Sequence, residues 1–251
     1  MDIQTYFDRI GYVGTQEPTK ENLIDLMCCH LRTVPFENLD CCGTGTPLSN
    51  DLAALYDKII LRRRGGICFE LNGLFCALLQ TLGYDCYSVE VRIHAGPSRP
   101  LRVCHQGIVV RFRNHRYYCD VGFGGPGPKG LLPLDQEPVQ LVNREYFQVA
   151  TDGIWTHIRR KEDTQWVDML TFADVPCISE DFTAHLYYMS ADPGSYFVRQ
   201  RLVNLYLPEG GSLALTDNRF TSRRNGEIIR QEFVEENAVT QLLQEEFSLY
   251  L

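Results

Sequence analysis

Arg64-Gly65-Gly66-Ile67-Cys68-Phe69-Glu70-Leu71-Asn72 is a basic, glycine-containing approach that runs straight into an apolar helix. Leu71, Leu74, Phe75, Leu78, Leu79 and Leu82 recur at helical spacing up to Gly83, a residue suited to end a helix. Cys68 therefore falls in the first turn. Unpaired backbone N–H groups and the positive end of the helix dipole favour an anionic sulfur there, and that is the reactive form. This placement makes Cys68 a candidate nucleophile. The paired glycines can take positive φ and, lacking side chains, let a substrate approach the main chain beside the sulfur.

Outward from this stretch, the chain of 251 residues is 44% hydrophobic and 22% charged, enough for a large core and more than one folding unit. Its formal charge of -8 argues against general nucleic-acid binding, which needs a basic face. The stretch Met1 to Gly14 carries Asp2, Asp8 and Arg9 among its apolar residues, so it reads as neither signal peptide nor membrane span. The ten cysteines are scattered and read as reduced, mostly packed thiols, which points to the cytoplasm. Cys28-Cys29 and Cys41-Cys42 lie near His30 but lack CxxC spacing, so no metal is expected. His30 itself sits on an apolar helix face and reads as a satisfied core histidine.

Asp2 is placed to cap one helix and Thr19 a second, with Pro35 as a stop, and Ser49 or Asn50 opens a third that runs into Arg62-Arg63-Arg64. Residues 1–83 thus read as a helical unit. From Tyr84 the period changes to two, with Tyr87, Val89, Val91 and Ile93 alternating with polar residues. Gln106 to Phe112 and Arg116 to Val121 are strand-like around a turn at Arg113-Asn114-His115, and short β patterns follow at 146–150, 154–159 and 166–170. The middle, 84–187, reads as a small barrel or curled sheet. Residues 188–251 read as an α/β tail, with strands at 202–207 and 212–215 and a last helix over 237–246.

If the hairpin turns near Arg113-Asn114, His105 falls diagonally across from Asp120 on one face. A cysteine nucleophile needs a base, and the base needs a partner that holds its tautomer and steadies the imidazolium. Cys68, His105 and Asp120 supply those roles. Cys104 and Cys119 precede the histidine and the aspartate and are expected on the opposite face as packed thiols. His94 is the rival base, but no carboxylate lies at hairpin distance from it.

Three stretches, Arg64-Gly65-Gly66-Ile67-Cys68-Phe69-Glu70, Pro35-Phe36-Glu37-Asn38-Leu39-Asp40 and Asp120-Val121-Gly122-Phe123-Gly124, resemble the signature segments of the arylamine N-acetyltransferases in order and spacing. Ser190 to Phe197 and Leu213 to Thr221 resemble that family's later segments, so the likeness covers nearly the whole chain. It implies an α+β fold of helical bundle, β-barrel and α/β lid, with a Cys-His-Asp triad of the kind found in cysteine proteases at the junction of the first two. Carried over, the nucleophile is Cys68, the base His105 and the orienting carboxylate Asp120.

The implied reaction is ping-pong: the cysteine takes an acetyl group from acetyl-CoA and passes it to an arylamine or arylhydrazine, with no metal or prosthetic group. Phe36, Ile93 and Phe123 match positions that line the acceptor pocket in that family. Gly96, Ser98, Arg99 and Arg102 lie in a loop leading to His105 that is suited to the CoA phosphates. Arg64 and Glu37 resemble an ion pair with a structural role. The rival within enzymes is another acyl-transferring or amide-forming cysteine enzyme. The rival from another class is a CoA-binding relative without turnover.

Overall fold

The computed structural model of the protein describes residues 1–94, 102–136 and 139–251. Its first helices form where a short polar side chain can take over an orphan backbone N–H. Asp2 caps α1 (Ile3–Ile10) by accepting from Thr5 N at 2.7 Å, and Thr19 caps α2 (Lys20–Thr33) by accepting from Asn22 N at 3.2 Å. The cap of α3 (Leu52–Tyr56) is Asp51, one or two residues later than the sequence suggests, and the helix widens into a π-helical turn over Asp57–Leu61. Helix α4 (Cys68–Thr81) starts at the cysteine itself, and Gly83 ends the segment at φ +88°. The apolar faces of all four meet in one core around Tyr6, Leu23, Leu26, Phe69, Phe75 and Leu79.

Before α4, the two-residue strand β1 (Phe36–Glu37) interrupts the helical run. After it comes an antiparallel meander: β2 (Asp85–Ile93), β3 (Val103–Phe112), β4 (His115–Cys119), β5 (Leu132–Pro133), β6 (Val139–Val142), β7 (Glu145–Asp152), β8 (Trp155–Glu162) and β9 (Gln165–Ala173). The sheet order is β5-β4-β3-β2-β9-β8-β7-β6. Its outer strands come back together where Gln140 Nε2 donates to the Pro133 carbonyl at 3.4 Å, so the sheet is a nearly closed barrel. Val89, Val91, Val109, Tyr118, Phe147, Leu170 and Phe172 fill it. On the other face of β3 and β4, Ile108, Val110, Tyr117 and Cys119 join the helical core, so α4 lies directly against the barrel wall.

The rest is α5 (Thr183–Ala191), α6 (Tyr196–Arg199), β10 (Leu202–Leu207), β11 (Gly211–Thr216), β12 (Arg219–Arg224), β13 (Glu227–Phe233) and α7 (Val239–Phe247). Its five-stranded sheet has the order β1-β10-β11-β12-β13, with Phe36 opposite Asn204. The same Phe36 bridges in parallel to Gly66, so a segment from the helical region carries the third sheet up to the entrance of α4. The architecture is α+β. No helix among the described residues is long and apolar enough to cross a membrane.

Asn38 joins these parts. It is buried, its Nδ2 donates to the carbonyls of Phe197 and Gln200, both at 2.7 Å, and its Oδ1 accepts from Leu202 N at 2.8 Å. Asn38→Ala removes the amide that three main-chain groups share and is expected to lower unfolding stability by about 3 kcal/mol in urea titrations. A loss below about 0.5 kcal/mol would mean that the seam is held elsewhere.

Candidate active site

Cys68 is the first residue of α4 and is almost wholly buried, with Sγ 3.7 Å from the carbonyl oxygen of Cys104. The approach to it is fixed by a chain of charges, buried except for the half-buried Asp40. Glu37 accepts from Arg64 Nε (3.0 Å) and from Leu39 N (2.8 Å), and Arg64 also pairs with Asp40 at 2.8 Å. Lys58 bridges Asp40 and Glu70, each at 2.8 Å, and Glu70 reaches back to accept from Ile67 N at 2.9 Å, just ahead of the cysteine. The ion pair of Arg64 and Glu37 is therefore present and is part of a larger network.

Neither Gly65 nor Gly66 takes positive φ, and both are buried. A Cβ on Gly65 would stand 2.0 Å from the Pro35 carbonyl oxygen, and one on Gly66 2.8 Å from Glu70 Oε2. Both glycines are needed because protein, not ligand, packs against them.

The hairpin turns at Arg113-Asn114, which pairs Phe112 with His115 and sets Asp120 just past β4, diagonal to His105 as the sequence suggests. His105 Nε2 lies 2.6 Å from Asp120 Oδ2. That leaves Nδ1 as the ring nitrogen for the sulfur. Burial would depress the His105 pKa, but the charges of Asp120 and Cys68 outweigh it and raise it to about 10. For Asp120, burial pushes upward, yet His105, Asn72 and Tyr118 hold its carboxyl below the ordinary value. Both its oxygens are doubly engaged: Oδ1 by Asn72 Nδ2 (2.8 Å) and Gly122 N (2.9 Å), Oδ2 by His105 and the Tyr118 hydroxyl (2.8 Å).

Sequence reasoning missed Asn72. It lies one turn beyond Cys68, so a polar side chain at that offset in an apolar helix was the available signal. Its Nδ2 also donates to the Gln106 carbonyl (2.6 Å) and its Oδ1 accepts from Val121 N (2.9 Å), which ties α4 to the barrel. Gly122 permits the contact, since a Cβ there would come within 2.9 Å of Cys68 Cα.

Above Cys68 and His105 lies a cleft of about 670 Å³. Phe36, Ile93 and Phe123 line it, as does Phe197, which the sequence reading quoted without giving it a role. The Phe123 ring stands edge-on to His105 with centroids 5.2 Å apart, and Phe36 packs edge-on to Phe197 at 5.8 Å. Arg102 is at the mouth and donates to the Tyr188 hydroxyl at 2.7 Å. Gly96, Ser98 and Arg99 lie outside the described residues.

Cys119 is buried in the helical core, whereas Cys104 lines the cleft beside His105. A bulge explains the exception: β2 pairs Val91 with His105 and Arg92 with Val103, so Cys104 is an extra residue and strict alternation fails there. His94 instead bonds Thr171 at 2.8 Å. His30 is buried, but neither of its ring nitrogens finds a partner, contrary to the satisfied state expected, and burial lowers its pKa to about 3. Among the described residues no three His, Cys, Asp or Glu side chains converge as a metal site.

The raised His105 pKa has a defined sign. Its stabilisation is fully present below the ordinary 6.5 and is lost as pH rises through about 10. The stability difference between wild type and His105→Gln is therefore expected to shrink from pH 6.5 towards pH 10 in denaturant titrations. A difference that does not change over that window would contradict the assigned pairing.

The model of the N-acetyltransferase family matches residues 19–251. The arylamine N-acetyltransferase of Mycobacterium tuberculosis is 38% identical over 207 residues, which cover 79% of this chain and 72% of that protein. Among solved structures, the arylamine N-acetyltransferase from Salmonella typhimurium superposes with a TM-score of 0.93 at 30% identity, covering 98% of this chain and 90% of that one. The Mycobacterium marinum arylamine N-acetyltransferase in complex with CoA gives 0.90 at 29% identity, with 99% and 93% covered. A family model that spans most of the sequence and solved backbones that match nearly all of it lead to one assignment: the chain belongs to the arylamine N-acetyltransferase family and is an acyltransferase.

Proposed function

We propose that the protein transfers an acetyl group from acetyl-CoA to an aromatic amine or hydrazine through an acetyl-cysteine at Cys68. The observation that carries this reading is the buried contact of His105 with Asp120 at 2.6 Å beside a cysteine that opens onto an aromatic-walled cleft. His105 accepts the proton of the Cys68 thiol through Nδ1, and Asp120 holds the ring in that tautomer from the other side. The thiolate attacks the thioester carbonyl of acetyl-CoA, and the departing CoA sulfur takes the proton back from His105. An amine then attacks the acetyl-cysteine, gives its proton to His105, and Cys68 leaves as thiolate. Sulfur suits both halves because it is a good nucleophile and a good leaving group.

The aromatic rings of Phe36 and Phe123 support a flat acceptor, with Ile93 at the same wall. Arg102, with Gly96, Ser98 and Arg99 shortly before it in the sequence, is assigned to the CoA side. That the M. marinum relative was solved with CoA supports the donor. We assign the helical part to 1–83, the barrel to 84–187 and the lid to 188–251, with the reaction at their junction. The free thiols of the chain support a reducing, cytoplasmic setting.

Intact-mass measurement after brief exposure to acetyl-CoA is expected to find one acetyl group, mapped to Cys68, absent in Cys68→Ala and discharged by an aromatic hydrazine. An unmodified, folded and reduced protein would refute the proposal. Asp120→Asn removes the counter-charge of the imidazolium and is expected to slow Cys68 acetylation about 10²–10⁴-fold. Acetylation of that variant at near wild-type rate would remove Asp120 from the mechanism.

A further inference from the structure

The segment after Asp120, from Gly122 to Gly130, carries no helix or strand, so its carbonyls are not met by ladder hydrogen bonds. Lys129, near its end, meets two of them. It is 6% exposed, and its Nζ turns back to donate to the carbonyls of Phe123 (2.9 Å) and Gly125 (2.7 Å). The same ammonium stands 3.8 Å from the ring centroid of Tyr206 on β10 and 5.4 Å from that of Phe123. The Tyr206 hydroxyl donates to Gly125 O, so one carbonyl is gripped from two elements.

Among the described residues no carboxylate pairs with Lys129. Burial therefore lowers its pKa to about 7, with Asp120 and Glu145 pulling upward and Arg160 downward. A buried ammonium held only by carbonyls and ring faces is a costly way to fill space that a methionine side chain could fill.

The gripped loop is the one that carries the acceptor wall. Phe123 projects from it against His105, and Gly124 lies so close to the Phe36 ring that a Cβ would come within 2.6 Å. Lys129 also lines a second cleft of about 630 Å³, which shares Gly124, Gly125 and Asn204 with the first. A shift of this loop would thus move the partition between the two.

We propose that Lys129 is a positioning residue for the acceptor: its ammonium, seated on the carbonyls of Phe123 and Gly125 and the face of Tyr206, fixes the ring wall an aromatic amine must meet. The inference rests on the acceptor side of the proposed function. It separates aromatic from non-aromatic acceptors, because hydrazine itself has no ring to place against Phe123.

The test is Lys129→Met in the full chain, with the two half-reactions measured separately. The expected result is a KM for an aromatic hydrazine raised about tenfold, kcat changed by less than about threefold, and the KM for hydrazine itself little altered. If both KM values rise together, or both half-reactions slow together, Lys129 is merely structural and the proposal falls. Should the variant fail to fold, the wild-type KM for the aromatic hydrazine is measured from about pH 6 to about pH 9. A rise through neutrality, as the ammonium is lost, supports the proposal, and a flat profile overturns it. Failure of the function proposed above would look different, since wild-type Cys68 would then take up no acetyl group at all.

Discussion

The buried amide of Asn72 is what makes one object of a helix and a barrel. Nδ2 donates to Asp120 and to the Gln106 carbonyl, and Oδ1 accepts from Val121 N, so every polar atom of the side chain is engaged across the seam. A bundle and a barrel packed only through apolar surface could slide by a fraction of a turn at little cost. Hydrogen bonds with fixed directions in a low-dielectric interior do not allow that, since breaking one leaves a buried group unpaired. Because Asn72 and Cys68 share a helix face, fixing Asn72 on Asp120 also fixes the distance from the sulfur to His105.

The opposite side of Cys68 is held by charge. Glu37, Arg64, Asp40, Lys58 and Glu70 alternate in sign through the interior, each carboxylate meeting at least one cation. Burial would push Glu70 towards neutrality and does raise its pKa, while Lys58, with three carboxylates around it, is driven well above its ordinary value. Such a network adds little net stability once desolvation is counted. Its effect is geometric: Glu37 anchors the Pro35–Leu39 segment, Glu70 anchors Ile67, and the cysteine is presented between them. The same segment supplies the edge strand β1, so the third sheet is registered to the cysteine through main-chain hydrogen bonds.

What the sequence made legible were features with local causes. Capping side chains and apolar periodicity located α1, α2 and α4, and a turn at Arg113-Asn114 was enough to bring His105 and Asp120 to one face. What it hid depends on partners far along the chain. Phe36–Glu37 is too short to have a period and is a strand only because β10 lies beside it. Strand β13 is exposed along nearly its whole length, with Ile228, Ile229 and Phe233 facing out beside charged residues, so it has no inward face to alternate with. The bulge at Cys104 inverted the expected facing of that one residue, and Gly65 and Gly66 read as room for a substrate beside the main chain when Pro35 and Glu70 pack there. Asn72 was visible as a polar residue in an apolar helix, but its partner lies 48 residues away.

These constraints divide the cleft into a rigid floor and an adjustable wall. Cys68, His105 and Asp120 are each fixed by hydrogen bonds or by helix geometry to elements whose cores are closed. The wall is different: Phe123 leaves the barrel on a segment without regular structure, steadied by one ammonium and one tyrosine hydroxyl from another sheet. Substitutions in that segment can change the shape of the cleft without moving the sulfur or the imidazole. The two-step transfer proposed above would need that separation, because the atoms that break and form bonds are common to both steps while the ring to be recognised enters only in the second.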